Sequence, residues 1–561
     1  MIRVILVVGL LLWPCFGQAQ DPMSQEEFGR YAQERFGEVG RLWQERQFEK
    51  AVAILEELAT HKELQALGSA WPATLYNLAC GDALLGRNDR ALSRLREAAE
   101  AGFTDLSQIE RDPDLDNLRT MPAFRDFVKR LRAQGRLWEN PVLNTPYREN
   151  ISEEEKVAGL SKLWSEIKYN FVFFDRVPDV DWDSLYVAYL PRVRQTTSTL
   201  EYYRLLQEMT AHLQDGHTGV NIPADLYDRT SYRPAVRTRL IEDMVLMVEV
   251  KSASPTDARI RQGLEITQVD GIPVREYAAR LIAPYVRAST PQALEVWAYD
   301  YSLLLGPKGE DVELQVLDEG GLMYTVRLTR SEPVMVKPKA DPQVRLLAGN
   351  IAYVALPSFA DPGVVPGFDS LFAGLAKTEA LILDLRDNGG GNSAVGFALL
   401  GYLTEQPFLI APCTSRDYRP VRRALGLKND WHKEAAVEWP ASGSRSYLKP
   451  VVVLIGPRTG SAAEDFCVAF RVMQRGNLIG EPTAGSTGQP LVFGLPGGGN
   501  ATVCTAHCTY PDGTEFVGIG IRPDTEVHPT VSEVRAGRDA ALEAAEDYVR
   551  HGLGGTRSIQ P

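Results

Sequence analysis

From Gly349 onward the chain repeats a unit that leaves few choices of fold: a short apolar run, a polar or glycine-rich turn, then a helical pattern. "IAYVALPSF" and "ALILDLR" read as strands, and "DNGGGNSAVGFALLGYL" as a glycine-rich turn running into a helix. "VVVLIG" reads as a buried strand, "SAAEDFCVAFRVMQRG" as a helix closed by Gly476, and "NLIGEPTAG" as another strand and turn. Such alternation predicts an α/β layer with largely parallel strands. In these sheets ligands gather where strands end and helices begin. Both polar turns, 387–393 and 456–461, belong to that edge.

The 561 residues leave room for three or four domains at about 100–200 residues each. Residues 24–135 read as helical. "AVAILEEL" from Ala51 and "ALSRLREA" from Ala91 share an apolar helical period, each after a polar turn, at an offset of 40 residues. "YNLACGDALLGRNDRALSRLREAAEAGF" resembles a tetratricopeptide unit, whose regular period is about 34 residues. This predicts a degenerate helix–turn–helix domain, a helical adaptor or a docking surface for a protein partner. "ENPVLNTPYREN" (139–150) reads as a linker. Residues 150–225 read as a second helical segment that stops near Asp215–Gly216 and leaves His217 on the following loop. Residues 235–332 change to short β-type runs separated by turn signals. There "GLEITQVDGIPV" resembles the PDZ pattern of a strand entering a D-G turn, and PDZ domains bind extended peptides by strand addition. Residues 340–545 form the α/β core.

The N-terminus, "MIRVILVVGLLLWPCFGQAQD", has the form of a secretory signal with cleavage after Ala19, so residues 1–19 are expected to be a signal peptide. Its apolar run is short for a membrane span of about 20 residues, and no other span is evident. The formal net charge of −13 argues against nucleic acid or anionic membrane as a main partner. Five cysteines follow the signal, Cys80, Cys413, Cys467, Cys504 and Cys508, an odd count at wide spacing that does not suggest a disulfide framework. Cys504, His507 and Cys508 look like a metal cluster but lie on a strand pattern. Positions four apart on a strand are about 13 Å apart, so ordinary strand side chains are expected and no metal.

One serine, Ser461, stands at the strand-to-helix turn "GPRTGSAAEDF", and Glu464 follows three residues later in capping-box register. A serine there also suits nucleophilic chemistry. The Ala462 N–H lacks an intrahelical partner, and the glycines of "NGGG", Asn388–Gly391, allow a second backbone N–H to come close. Serine also needs a base. Of seven histidines, His217 in "DGHTG" sits where a side chain projects from a polar turn.

"ALILDLRDNGGG", "VLIGPRTGSAAEDF", "IGEPTAG" and "GIGIRPD" occur in this order, and together they resemble the core of the carboxy-terminal processing (tail-specific) protease family. That family includes tricorn protease and has the interphotoreceptor retinoid-binding protein as a relative. The resemblance spans about 150–560. It implies a crotonase-like α/β core with a serine nucleophile, which carries over to Ser461. It also implies an oxyanion hole from the glycine turn, Gly390 with Gly389 as the alternative, and from Ala462. Many members use a lysine about 25 residues after the serine; here that position is Ser486 in "TAGS". Tricorn-like members use an upstream histidine, matched by His217. The serine that precedes that histidine in tricorn protease is Gly216 here. The orienting acid matches Glu515, with Asp215 as the alternative; Glu464 and Asp465 read as cap and structural residues.

The resulting expectation is a multidomain α/β protein, secreted or periplasmic, that acts as a serine peptidase on peptide or protein substrates. Ser461, His217 and Glu515 would be catalytic, Gly390 and Ala462 would hold the oxyanion, and no metal or organic cofactor is called for. The retinoid-binding relative implies the alternative of an inactive ligand- or peptide-binding protein on the same fold. A scaffold acting through its helical and PDZ-like modules is a further one.

Overall fold

The computed structural model describes residues 25–65, 70–138, 140–251, 259–334, 342–428, 430–442 and 445–554. The expected signal peptide, 1–19, lies outside the described residues. The chain divides into two compact units, before and after Asn140/Pro141.

The first unit is helical. Gln25–Gln44 pairs with Phe48–Ala59, and Ala70–Leu84 with Asn88–Glu100. The two segments recognised as repeating bury equivalent stripes: Ala51, Val52, Leu55 and Leu58 in one, Ala91, Leu92, Leu95 and Ala98 in the other. The turns repeat as well. Arg46 (φ 56°) and Gly86 (φ 71°) are left-handed, and each turn closes with a long bond, Gln47 N–H to Leu42 O and Arg87 N–H to Asp82 O, both 2.8 Å. This is the Schellman way of satisfying terminal helix carbonyls. Leucine, alanine and aromatic side chains of these helices form one core.

In the second unit a six-stranded sheet runs in the order Gln343–Leu347, Ile351–Ala355, Ala380–Asp384, Val451–Ile455, Asn477–Gly480, Thr525–Glu526. Only the first pair is antiparallel. "ALILD" and "VVVLI" are buried at every position because both faces of the sheet are covered. Leu381, Leu383, Val453 and Ile455 face one core with Phe466 and Phe470 of the Ala462–Val472 helix. Ile382, Val452 and Leu454 face the other, under Ala545 and Val549 of the Ala540–Gly554 helix. The Ala462–Val472 helix does not run to Gly476. It ends at Val472, with Gln474 left-handed (φ 51°), and Gly476 instead passes so close to Val451 that an added Cβ would lie 2.0 Å from its carbonyl oxygen.

Helices Glu153–Asn170, Trp182–Gln195 and Thr199–Ala211 lead to the short strand Gly219–Asn221, which pairs antiparallel with Asn500–Cys504 of the core. This pairing anchors the His217 loop over the ends of the parallel strands. Residues 236–329 form an antiparallel sheet in the order Val236–Ile241, Met244–Val250, Glu265–Val269, Asp311–Leu317, Met323–Thr329. The expected D-G turn is present, with both Asp270 (φ 48°) and Gly271 (φ 79°) left-handed, as a tight hairpin requires. The helical excursion between its strands, Val274–Tyr301, reaches the core: Thr290 donates to Ala484 O at 2.9 Å.

The cysteines depart from expectation. Strand Cys413–Asp417 pairs with Ala506–Cys508 so that Cys413 and Cys508 are opposite each other, and they form a disulfide. Pairing of distant strands, invisible in the spacing, made the bridge. Among the described residues no helix is long and apolar enough to cross a membrane.

Candidate active site

Ser461 occupies the turn between strand Val451–Ile455 and helix Ala462–Val472. Its backbone is left-handed (φ 56°, ψ −127°), a conformation that costs a non-glycine residue about 1–3 kcal/mol and persists only where its surroundings fix it. Two bonds from its own N–H do so, to Ser486 O (2.7 Å) and Glu464 Oε2 (3.3 Å). The carboxylate half of the capping box is therefore made. The hydroxyl half is not: the Glu464 N–H bonds the Ser461 carbonyl oxygen (2.7 Å), and the side-chain hydroxyl faces His217.

Ser461 Oγ lies 3.0 Å from His217 Nε2, and His217 Nδ1 lies 2.7 Å from Ser486 Oγ. With the proton on Nδ1 donated to Ser486, Nε2 is left to accept from Ser461. Burial pushes the His217 pKa down, Asp215 pulls it up, and Arg287 adds to the downward push, so the ring is held neutral. Gly216 is what lets Ser486 in. A Cβ there would lie 2.5 Å from Ser486 Oγ and 3.1 Å from its Cβ.

Glu464 is fully buried and ties the two turns together. Its carboxylate accepts from Thr483 Oγ1, Gly485 N (2.7 Å) and Ser486 N (2.8 Å), besides Ser461 N. Burial pushes its pKa up to about 7 against the pull of these donors. Its neighbour Asp465, also raised by burial, accepts from Ser393 Oγ (2.6 Å) and Thr487 Oγ1 (3.0 Å).

The glycine turn approaches as expected, but Gly390 serves it differently. Gly390 is left-handed (φ 100°), and a Cβ on it would lie 2.6 Å from Ser461 Cβ and 2.9 Å from Ala462 N. Its own N–H is engaged by Asn388 Oδ1 at 2.9 Å. Gly389 lines the cleft beside Ser461, and among the described residues its N–H has no protein partner. Of these two glycines it is therefore Gly389 whose N–H is left without a protein partner, in the cleft that Ser461 also lines.

Glu515 does not meet His217. A turn returns the chain after Tyr510 (Tyr510 N–H to Thr514 O, 2.9 Å), and Glu515 Oε2 pairs with His507 Nε2 at 2.7 Å and stands 3.8 Å from Arg176. Its side chain is 45 % exposed. Asp215 does not bond the ring either; it accepts from Thr218 Oγ1 (2.6 Å) and Ser289 Oγ (3.4 Å). In the sequence Ser486 stands out only for not being lysine, and its contact with His217 depends on Gly216, far away in the chain. The metal-like trio is otherwise engaged, Cys508 in the disulfide and His507 with Glu515. Among the described residues, Cys80, Asp112 and Asp114 of the helical unit lie close enough together to share an ion, but Tyr76 and Trp43 already donate to the two carboxylates.

The site opens into a cleft of about 320 Å³ lined by His217, Arg287, Trp297, Ser461 and Ser486 among others. A half-buried serine–imidazole pair, near backbone N–H groups of Gly389 and Ala462 that have no partner among the described residues, can move a proton from the hydroxyl and hold an oxyanion.

Residues 350–527 match peptidase family S41, and residues 153–211 match the tricorn protease C1 domain. Among curated relatives, carboxyl-terminal-processing peptidase 2, chloroplastic, of Arabidopsis thaliana is 27 % identical over 46 % of this chain and 48 % of its own length. The carboxyl-terminal-processing protease of Synechocystis is 22 % identical over 73 % of this chain and 90 % of its own. The matched stretches span about half the length of the first of these relatives. Among solved structures, mature CPAF superposes with a TM-score of 0.58 at 17 % identity, covering 73 % of this chain and 99 % of that one, which is a likeness of fold. The core at 350–527 is thus similar to peptidase family S41 and the helical segment 153–211 to the tricorn protease C1 domain, with carboxyl-terminal-processing peptidases among the chain's relatives.

Proposed function

We propose that the chain is a serine peptidase that cleaves peptide bonds with Ser461 as nucleophile and His217 as base. The observation that carries this is the unbroken hydrogen-bond chain from Ser461 Oγ through His217 to Ser486 Oγ, 3.0 and 2.7 Å. In the first step Ser461 Oγ attacks the scissile carbonyl as Nε2 takes its proton. The imidazolium then holds Ser486 through Nδ1–H and returns the other proton to the leaving amine. The N–H groups of Ala462 and Gly389 receive the oxyanion. Water hydrolyses the acyl-enzyme by the same route in reverse. Ser486 orients the imidazole, the task often given to a carboxylate. Glu464 acts one step back, fixing the backbones of Ser461 and Ser486.

The antiparallel domain at 236–329 is proposed to be PDZ-like and to take an extended segment of the substrate. The helical domain is proposed to be tetratricopeptide-like and to hold a protein partner. The Cys413–Cys508 disulfide suits an oxidising compartment and supports a secreted or periplasmic location.

The test is cleavage of a panel of unstructured peptides followed by mass spectrometry. The proposal expects new termini with the wild-type protein and none with Ser461→Ala. Folded wild-type protein that cleaves nothing across the panel would favour the ligand-binding alternative.

A further inference from the structure

Charge is unevenly spread along this chain. The whole carries −13, yet between Cys413 and Glu434 six lysines and arginines stand against three acidic residues. The segment is a hairpin: strand Cys413–Asp417, a turn containing the short helix Pro420–Ala424, and strand Asp430–Lys433. Its base is fixed to strand Ala506–Cys508 by pairing and by the Cys413–Cys508 disulfide.

The tip is ordered and apolar at once. Gly426 is left-handed (φ 68°), its N–H bonds Arg423 O (3.1 Å), and the Leu427 N–H bonds Arg422 O (2.9 Å), the Schellman closure of the short helix. Yet Val421, Leu425 and Leu427 stay 63, 69 and 53 % exposed. Val421 and Leu425 are one helical turn apart and share a face. Along the stem, Arg416 and Trp431 are register partners, and Tyr418 follows Arg416 on the same face. Arg416 lies 5.1 Å from the Trp431 ring centroid, and Tyr418 stacks at 5.2 Å on Tyr169. These four side chains surround a hollow of about 250 Å³, which Arg423 also lines. Two of the acids are engaged by neighbours, Asp417 with Arg419 (2.7 Å) and Asp430 with Arg422 (2.8 Å). Arg423 bonds the Tyr169 hydroxyl (3.4 Å), and among the described residues neither it nor Lys428 has a carboxylate within ion-pair distance.

An apolar tip above an aromatic and cationic collar repeats the layers of a bilayer surface. Apolar side chains enter the acyl boundary, tryptophan and tyrosine gather at headgroup level, and lysine and arginine meet the anionic surface. A protein partner would require no such order. We propose that this hairpin docks the protein onto an anionic lipid bilayer. Val421, Leu425 and Leu427 enter the acyl boundary, and Arg423, Lys428 and the hollow beside Trp431 receive headgroup phosphates. The net charge of −13 opposes attraction of the whole molecule, so contact is confined to this face. The proposal is independent of the peptidase reading.

The experiment is flotation of the full-length protein with vesicles of phosphatidylcholine, alone or with about 30 % phosphatidylglycerol, at about 0.1 M salt. Binding to the anionic vesicles is expected to be about 10- to 100-fold tighter than to neutral ones, and to weaken as salt rises. Arg423→Gln/Lys428→Gln should lower that preference about tenfold, and Arg423→Lys/Lys428→Arg should keep it. Val421→Ser/Leu425→Ser should weaken binding about tenfold at unchanged charge. All forms carry the same N-terminus, so the comparison reads the hairpin. Circular dichroism confirms folding, and if one double variant misfolds the other reads the proposal. Wild-type protein that prefers neutral vesicles or neither, or folded variants that bind as the wild type does, would overturn it. Lipid-free sedimentation in which wild type self-associates and Val421→Ser/Leu425→Ser does not, with no vesicle binding, would overturn it too and assign the tip to contact between copies.

Discussion

Gly216 and Ser486 should behave as one device, and a double-mutant cycle measures this. Ser486→Ala removes the acceptor of the Nδ1–H bond, 2.7 Å in the structure, and leaves a donor buried. A hydrogen bond to a group that becomes charged is worth about 1.5–3 kcal/mol. At about 1.4 kcal/mol per decade that is roughly a 10- to 150-fold loss in kcat/KM. Gly216→Ala removes no functional group but places a Cβ 2.5 Å from Ser486 Oγ. The Ser486 backbone cannot retreat, because Glu464 holds its N–H at 2.8 Å and Ser461 holds its carbonyl at 2.7 Å. The hydroxyl must turn away, and the same bond is lost. The double variant should then resemble Ser486→Ala to within about threefold, with a coupling energy close to the single loss. Initial rates on a fluorogenic peptide give the four kcat/KM values. Losses that multiply, or a Gly216→Ala protein with wild-type kcat/KM, would refute Ser486 as the residue that orients His217.

Glu515→Gln should leave kcat/KM within about twofold of wild type, since Glu515 is bonded to His507 and not to His217; a loss of a hundredfold would return it to the site. The pKa of His217 is lowered by burial, and only the neutral ring accepts a proton. The acid limb of kcat/KM should therefore have its midpoint below the ordinary histidine value of about 6.5, and Asp215→Asn should move it lower still by removing an upward pull. A limb centred above 6.5 would contradict this. Glu464→Gln puts an amide NH₂ against two donors whichever way it turns, at about 1–3 kcal/mol for each unsatisfied group, so the thermal midpoint and the activity should both fall. Because the folded-state pKa of Glu464 is raised to about 7, the folded state holds its proton where the unfolded chain has lost it. Its contribution to stability is fullest below about 4.5 and declines as pH rises to about 7, a slope that denaturant melts should show weakened in the Gln variant.

The α/β core was legible because its signal is local: continuous apolar strands such as "VVVLI" and glycine turns announce buried parallel strands. The two helical segments were legible for the same reason, as apolar stripes each after a polar turn, whereas the left-handed residues of those turns, Arg46 and Gly86, were not. Ser461 and His217 were found through their loops, 244 residues apart, and meet at 3.0 Å. The contact of Ser486 with His217 was not legible because it is a property of packing. Ser486 reaches His217 only because Gly216 has no side chain, and a loop serine carries no pattern that reveals this. Glu515 failed for the converse reason, since a short turn after Tyr510 directs it to His507. The Cys413–Cys508 bridge likewise depends on pairing between strands distant in the chain. Glu464 was readable as half a capping box, but its hold on residues 483–486 was not, because that hold is tertiary.

The central claim is that His217 activates Ser461, and the labelling rate of Ser461 by a fluorophosphonate probe, followed by intact and peptide mass spectrometry, tests it most directly. A single adduct is expected on the peptide containing Ser461, absent in Ser461→Ala and formed about 100-fold or more slowly in folded His217→Ala. Folded wild-type protein in which Ser461 stays unlabelled, or His217→Ala protein labelled at the wild-type rate, would contradict the account.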